Sequence, residues 1–106
     1  MKKILLVCAA GMSTSLLVNK MNDAAKEKGI EIDIFALPVS ECSSVSAEVD
    51  VVLLGPQVRY QKPQVDAIIA GRVPVEVIEM RDYGMMNGKA ILSRALDLMS
   101  QFEENL

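Results

Sequence analysis

Apolar runs divide the chain into four strands separated by helical segments. The runs over residues 3–8 and 51–54 are almost continuously apolar, which is typical of strands covered on both faces. The runs over residues 30–35 and 73–78 alternate apolar with charged residues or contain a proline, which indicates edge positions. The pattern predicts an α/β fold with a four-stranded parallel sheet in the order 2-1-3-4.

Helical periodicity predicts two longer helices and two shorter ones. The first runs from a cap at Ser13 to Lys28 and ends at Gly29, and the last covers residues 89–103. One or two turns fit within residues 38–48, and a short helix fits residues 63–70. The predicted buried stripe of the last helix consists of Ile91, Ala95, Leu98 and Phe102. A chain of 106 residues is expected to form one domain, residues 1–106.

The strand order directs attention to Cys8. In the order 2-1-3-4 the winding direction reverses at the first strand, and open α/β sheets bind ligands at the carboxyl end of the strands at such a point. Cys8 lies there, followed by small and hydroxylated residues whose main-chain N–H groups can converge on an anion at a helix N-terminus. A cysteine in this setting favours the nucleophilic thiolate. We predict that Cys8 attacks phosphorus and that the phosphate is held by Ala9, Ala10, Gly11, Met12, Ser13, Thr14 and Ser15. The alternative is that Cys8 is only a small buried apolar residue.

Composition limits the possible partners. The formal charge is −3, and the sequence contains no block of Lys or Arg, which argues against a nucleic acid or an anionic membrane surface. No apolar run is long enough for a membrane span or a signal peptide, so a cytoplasmic protein is expected. The chain has no histidine, which excludes a Cys-His dyad and a histidine metal site, and neither a metal nor another cofactor is expected. Cys42 lies in a polar stretch and is interpreted as incidental.

With these residues identified, the chain resembles the IIB component of the phosphoenolpyruvate-dependent sugar phosphotransferase system, in its lactose/cellobiose (N,N'-diacetylchitobiose) family. The resemblance covers essentially the whole chain and is carried by residues 8–17, 50–57 and 74–78, and by Tyr83-Gly84 with Gly88. It implies a flavodoxin-like three-layer sandwich. It also implies a relay in which a histidine-phosphorylated IIA protein passes its phosphoryl group to a cysteine, which delivers it to a sugar bound by the membrane transporter IIC.

The resemblance assigns the residues of this relay. Cys8 matches the phosphorylated position, and residues 9–15 match the loop around it. The size of the chain is closer to the cellobiose and chitobiose members, so a β-linked disaccharide is the expected sugar.

Three alternatives use the same cysteine or the same loop. Low-molecular-weight tyrosine phosphatases and related arsenate reductases have an arginine six residues after the cysteine, where this chain has Thr14. Hydrolysis is therefore expected to be slow, because no guanidinium grips the phosphoryl oxygens. A flavin-binding module is disfavoured by the few aromatic residues, and no flavin is expected. A redox function is disfavoured because no C-x-x-C motif occurs.

Residues after the third strand are candidates for a docking rim. Gly55-Pro56 ends an interior strand on the same side of the sheet as Cys8, so Gln57 and Tyr83 are predicted to line a possible rim. Arg59 could approach the phosphoryl group, but a surface arginine that serves only solubility is the favoured interpretation, and Asp82 is more simply a solvated loop charge. Exposed methionines make adaptable contacts, and the candidates near Cys8 are Met12, Met85 and Met86. Alternatively, these methionines simply cover the end of the sheet.

Overall fold

The computed structural model describes residues 1–8 and 14–105, in which a parallel sheet lies between two layers of helices. The strands are β1 (Lys2–Val7), β2 (Ile32–Leu37), β3 (Val51–Leu54) and β4 (Val75–Val77). Their order is β2-β1-β3-β4, and every neighbouring pair is parallel. The predicted α/β class and strand order are therefore confirmed.

The helices alternate with the strands along the chain. The α-helices of the described residues are α1 (Thr14–Lys28), α2 (Val39–Val45), α3 (Lys62–Ile69), α4 (Met80–Gly84) and α5 (Gly88–Glu104). A 3-10 helix over Pro56–Gln61 joins β3 to α3. The sequence pattern did not predict this 3-10 helix or α4, because segments of five or six residues are too short to show a helical period.

The two faces of the sheet support two separate clusters of buried side chains. Ile4 and Leu6 of β1 face the cluster formed with α1 and α5, and Leu5 and Val7 face the cluster formed with α2 and α3. This division follows from the two-residue period of a strand. Because both faces are covered, β1 and β3 can be apolar at every interior position, as the sequence pattern indicated.

The helix boundaries follow local sequence signals. Gly29 ends α1 with a left-handed φ of +70°, which glycine adopts without steric cost. Asn87 caps α5, because its Oδ1 accepts a hydrogen bond of 3.1 Å from the N–H of Ala90. Of the predicted stripe of α5, Ile91 and Ala95 are fully buried, and Leu98 and Phe102 are half-buried. The helix packs against both the sheet and α1, which widens its buried face to Ile91, Leu92, Ala95 and Met99.

A glycine allows α5 to approach α1 closely. A Cβ atom placed on Gly88 would lie 2.5 Å from the main-chain carbonyl carbon of Lys20 and 2.7 Å from its Cβ. These separations are far shorter than a van der Waals contact, so no other residue fits at this crossing without displacing a helix.

Ion pairs join α5 to two strands. The Arg94 guanidinium donates to both carboxylate oxygens of Glu76, with distances of 2.7 and 2.8 Å, and so links α5 to the edge strand β4. Lys2 Nζ lies 2.7 Å from Oε1 of Glu103 and links β1 to the other end of α5. The three-residue length of β4 and the preceding Pro74 limit further pairing at this edge.

Candidate active site

The carboxyl ends of the four strands lie in one row. The register places Leu37, Val7, Leu54 and Val77 side by side across the sheet. Cys8 directly follows Val7 and therefore lies in the interior of this row, at the reversal point of the winding. The connections that follow all four strands begin at the same edge as Cys8, which is where α/β sheets of this type bind ligands.

Main-chain hydrogen bonds to both neighbouring strands hold the peptide that precedes Cys8. The Cys8 N–H donates to the carbonyl of Leu37 at 3.3 Å, and the Gly55 N–H donates to the carbonyl of Val7 at 2.9 Å. The Cys8 side chain is a free thiol and is half-buried. A thiol that is accessible but mounted on a rigid strand end is well placed to act as a nucleophile.

The first turn of α1 follows the segment predicted to bind phosphate. Thr14 begins the helix and Ser15 is exposed, and the first turn carries no acidic residue to neutralise the positive end of the helix dipole. The predicted phosphate-binding residues that lie outside the described part of the chain are Ala9, Ala10, Gly11, Met12 and Ser13. The assignment of residues 9–15 to phosphate binding stays a prediction.

The predicted rim residues Gln57 and Tyr83 both lie close to Gly55, next to the end of β1. A Cβ atom on Gly55 would lie 3.3 Å from Oε1 of Gln57, 3.6 Å from Cε2 of Tyr83 and 3.8 Å from the carbonyl oxygen of Val7. The Gln57 carboxamide and the Tyr83 ring therefore both approach the bare face of Gly55, beside the peptide that leads into Cys8.

Tyr83 and Gln57 differ in exposure. Gln57 is exposed, as a rim residue requires, whereas only 6% of Tyr83 is exposed and its ring packs in the cluster with α1 and α5. The burial follows from α4, which the sequence pattern missed. The docking role of both residues stays a prediction, and the burial of Tyr83 weighs against a direct contact with a partner.

Large apolar side chains are exposed around the same edge of the sheet. They have exposed fractions between 47% and 74% and comprise Leu16, Tyr60, Met80 and Met85. Each lies in a connection or helix that follows the carboxyl end of a strand. Of the predicted methionines, Met85 is exposed, Met86 is half-buried with a left-handed φ of 50°, and Met12 lies outside the described residues. Sequence reasoning missed Leu16, Tyr60 and Met80, and the last two lie in segments too short to show a helical period.

Other candidate residues lie away from this constellation. Arg59 is exposed on the 3-10 helix, and Cys42 is fully buried on α2 within the cluster formed with α3. The sequence stretch around Cys42 is polar, but a two-turn helix packed on a sheet still buries one face. Burial raises the pKa of the Cys42 thiol, so Cys42 has the character of an inert core residue.

A groove of about 630 Å³ runs along β4 and does not include Cys8 in its lining. Its walls carry Glu76, Glu79, Asp82, Lys62 and Arg94 over an apolar floor. Arg94 is paired with Glu76, and Lys62 is paired with Asp66. The groove is thus separate from the cysteine.

The described part of the chain offers neither a cluster of metal ligands nor a membrane-spanning helix. Among them, no three His, Cys, Asp or Glu side chains come together as a metal ion would require. No described helix combines the length and the apolar character needed to cross a membrane.

Sequence comparisons identify similar proteins over nearly the whole chain. The family model for the "PTS system, Lactose/Cellobiose specific IIB subunit" matches residues 3–94. The chain is 50% identical to the galactose-specific EIIB component of Lactococcus lactis subsp. cremoris (strain MG1363), covering 93% of this chain and 97% of the relative. It is 49% identical, with the same coverage, to the cellobiose-specific EIIB component of Lactococcus lactis subsp. lactis (strain IL1403).

Structural comparison gives the same result. The solution structure of the cellobiose-specific phosphotransferase IIB component from Borrelia burgdorferi superposes with a TM-score of 0.80 at 42% identity, covering 94% of this chain and 93% of that one. The lactose-specific IIB domain from Streptococcus pneumoniae superposes with a TM-score of 0.77 at 20% identity, covering 92% and 96% of the two chains, which shows a shared fold.

Proposed function

Because the chain belongs to the lactose/cellobiose-specific IIB family of the sugar phosphotransferase system, whose members are phosphotransferases, we propose that Cys8 is the residue that carries the phosphoryl group. The observation that supports Cys8 most directly is its position: a half-buried free thiol at the carboxyl end of the interior strand β1, in a main chain fixed by bonds to both neighbouring strands. The other cysteine, Cys42, is fully buried and cannot meet a second protein without unfolding α2. We assign the whole of residues 1–106 to this single IIB domain.

The transfer consists of two displacements at phosphorus. In the first, the Cys8 thiolate attacks the phosphohistidine of a IIA partner; an S–P bond forms, the N–P bond breaks, and its electron pair stays on the imidazole nitrogen. In the second, a sugar hydroxyl attacks the phosphocysteine; an O–P bond forms, and the thiolate leaves with the electron pair of the S–P bond. The hydroxyl proton passes to a base of another protein, because this chain contains no histidine. Cys8 thus returns to its starting state.

Main-chain amides are the proposed ligands of the phosphoryl oxygens. The Cys8 N–H is already bonded to Leu37, so the amides that hold the phosphoryl group must belong to later residues. We assign this role to residues 9–15, which lead into the unneutralised N-terminus of α1. Charge stabilisation of this kind is the main requirement of phosphoryl transfer, because little covalent chemistry falls to the protein.

The partners follow from the relay. We propose a phosphorylated IIA protein as donor and the membrane transporter IIC, holding the sugar, as acceptor, with this chain in the cytoplasm between them. Exposed apolar side chains in the segments that follow the strands give both partners a surface to contact, and they belong to Leu16, Tyr60, Met80 and Met85. For the sugar we propose a β-linked disaccharide such as cellobiose or chitobiose, a class that includes the sugar named for the Lactococcus lactis subsp. lactis relative.

The phosphatase alternative is not favoured by the comparisons, which find IIB components. The sequence offers a physical reason, since the arginine that a phosphatase loop uses to grip the phosphoryl oxygens is replaced by Thr14. Slow hydrolysis suits a relay, because the phosphocysteine must persist until the sugar arrives.

Substitution of Cys8 tests the proposal. With a phosphorylated IIA protein as donor, Cys8→Ser should abolish labelling, whereas Cys42→Ala should be labelled normally. Mass spectrometry of the unmodified sequence should place an acid-labile phosphate on the peptide that contains Cys8. Label retained in Cys8→Ser, or found on Ser13, Thr14 or Cys42, would refute the assignment.

A further inference from the structure

The side chain of Gln57 is turned back toward the end of β1, although Gln57 lies on the surface. Its neighbours Pro56 and Val58 are buried, and the Val58 N–H donates to the carbonyl of Gly55 at 3.0 Å, which closes a tight turn after β3. Gln57 is thus held between two anchored residues. Its carboxamide oxygen lies 3.3 Å from the point where a Cβ on Gly55 would be.

Gly55 brings this carboxamide close to the peptide that precedes Cys8. The Gly55 N–H donates to the carbonyl oxygen of Val7. A Cβ atom placed on Gly55 would lie 3.8 Å from that same oxygen. The Gln57 carboxamide and the Val7–Cys8 peptide therefore both lie next to Gly55. A methyl group on Gly55 would lie in tight contact with the carboxamide, so the absence of a side chain at Gly55 leaves room for this arrangement.

A phosphoryl group on Cys8 needs donors on more than one side. The segment that follows Cys8 in the sequence contains no arginine. The carboxamide of Gln57 carries two N–H donors and comes from the 3-10 helix that follows the neighbouring strand, β3. It carries no charge, so it can bind a phosphoryl oxygen without holding it as tightly as a bidentate guanidinium does.

We propose that Gln57 is a catalytic residue, whose carboxamide N–H donates to an oxygen of the phosphoryl group while that group is on Cys8. The proposal rests on the proposed function of Cys8 and adds to it a side-chain ligand from the 3-10 helix that follows the second interior strand. Gln57 forms no covalent bond and transfers no proton in either displacement. It stabilises the charge on the phosphoryl oxygens, which both displacements share.

A residue that only contacts the partner protein would behave differently from a phosphoryl ligand. Loss of a partner contact raises the KM for the IIA protein and leaves the isolated phosphoprotein unchanged. Loss of a phosphoryl ligand lowers kcat at saturating IIA and changes the environment of the phosphorus atom even when no partner is present.

The test compares Gln57→Ala and Gln57→Glu with the same two substitutions at Gln64, an exposed residue of α3. We expect Gln57→Ala to lower kcat of phosphorylation by phospho-IIA roughly 10- to 100-fold, the loss typical of one donor to a charged group, with KM changed less than about twofold. Gln57→Glu should lose more than Gln57→Ala, because its carboxylate repels the phosphoryl oxygens. Both Gln64 variants should match the unmodified chain.

A second measurement needs no partner during the readout. The ³¹P NMR signal of phosphorylated Cys8, recorded after removal of IIA, should shift in Gln57→Ala and stay in place in Gln64→Ala. A changed KM with unchanged kcat and an unchanged ³¹P signal would overturn the proposal and leave Gln57 a docking residue. Failure of the unmodified chain to be labelled at Cys8 would instead refute the proposed function itself.

Discussion

On one face of the sheet, α1 and α5 are helices of 15 and 17 residues that approach each other at Lys20 and Gly88; on the other face, α2 and α3 have only seven and eight residues. The long layer brings the N-terminus of α1 to the edge of the sheet where Cys8 lies. In the short layer, a 3-10 helix occupies the connection from β3 to α3 and exposes Gln57. The comparison indicates that the long layer combines a close helix crossing with the N-terminus of α1, whereas the short layer leaves Gln57 exposed at the same edge of the sheet.

The crossing at Gly88 offers the strongest test of this difference. Gly88→Ala should lower the free energy of unfolding by about 2 to 3 kcal/mol, because the added methyl group meets the main chain of Lys20 and not a flexible side chain. Urea denaturation monitored by circular dichroism measures the change. Gly84→Ala is the matched control, since a Cβ on Gly84 has no atom within 4 Å. We expect the control to stay within about 0.5 kcal/mol of the unmodified chain. Equal stability of the two variants would show that the long layer is not closely packed.

Apolar patterning was sufficient to predict the centre of the sheet. β1 and β3 are buried on both faces, so their sequences are apolar without alternation, and β2 and β4 carry charged residues because each has an open edge. The strand order then follows, and with it the position of Cys8 at the carboxyl end of an interior strand. The prediction of the candidate nucleophile thus depends on the burial of β1 and β3, which their apolar sequences indicate.

Features set by contacts between distant segments could not be predicted in the same way. The close approach of Gly88 to Lys20 depends on the crossing of two helices, and the sequence shows only a glycine before a helix. The meeting of Gln57 and Tyr83 at Gly55 likewise joins three segments, and α4, which carries Tyr83, is too short to show a period. Cys42 looked polar by its neighbours because only one face of α2 is buried.

Cys42 tests the short layer. Cys42→Ser should lower the free energy of unfolding by about 1 to 2 kcal/mol, because a hydroxyl group is transferred into an apolar cluster. Labelling of Cys8 by phospho-IIA should be retained below the unfolding transition. In the unmodified chain, Ellman's reagent should react quickly with half-buried Cys8 and slowly with fully buried Cys42. Two equally fast thiols would mean that α2 opens readily and that the short layer is looser than its burial indicates.

The smallest effect is expected at the far end of α5, where the ion pair between Lys2 and Glu103 is largely exposed. Glu103→Gln should lower the free energy of unfolding by less than about 0.5 kcal/mol at pH 7, because solvent and salt screen such a pair. The hydrogen bond to Glu103 raises the pKa of Lys2 above its ordinary value of 10.5. The stabilisation is therefore complete below pH 10.5 and is lost as the pH rises through the raised pKa.

The difference in stability between Glu103→Gln and the unmodified chain should accordingly shrink above that pH, and it should shrink with added salt at pH 7. Glu104→Gln, the same charge change at the next exposed residue, is the matched control. A loss at Glu103 as large as the loss at Gly88 would reverse the comparison, because the terminal charges would then hold α5 in place as strongly as its close contact with α1. The structure favours the close contact, since a clash with main-chain atoms cannot be relieved by solvent, whereas an exposed charge that loses its partner is hydrated by water.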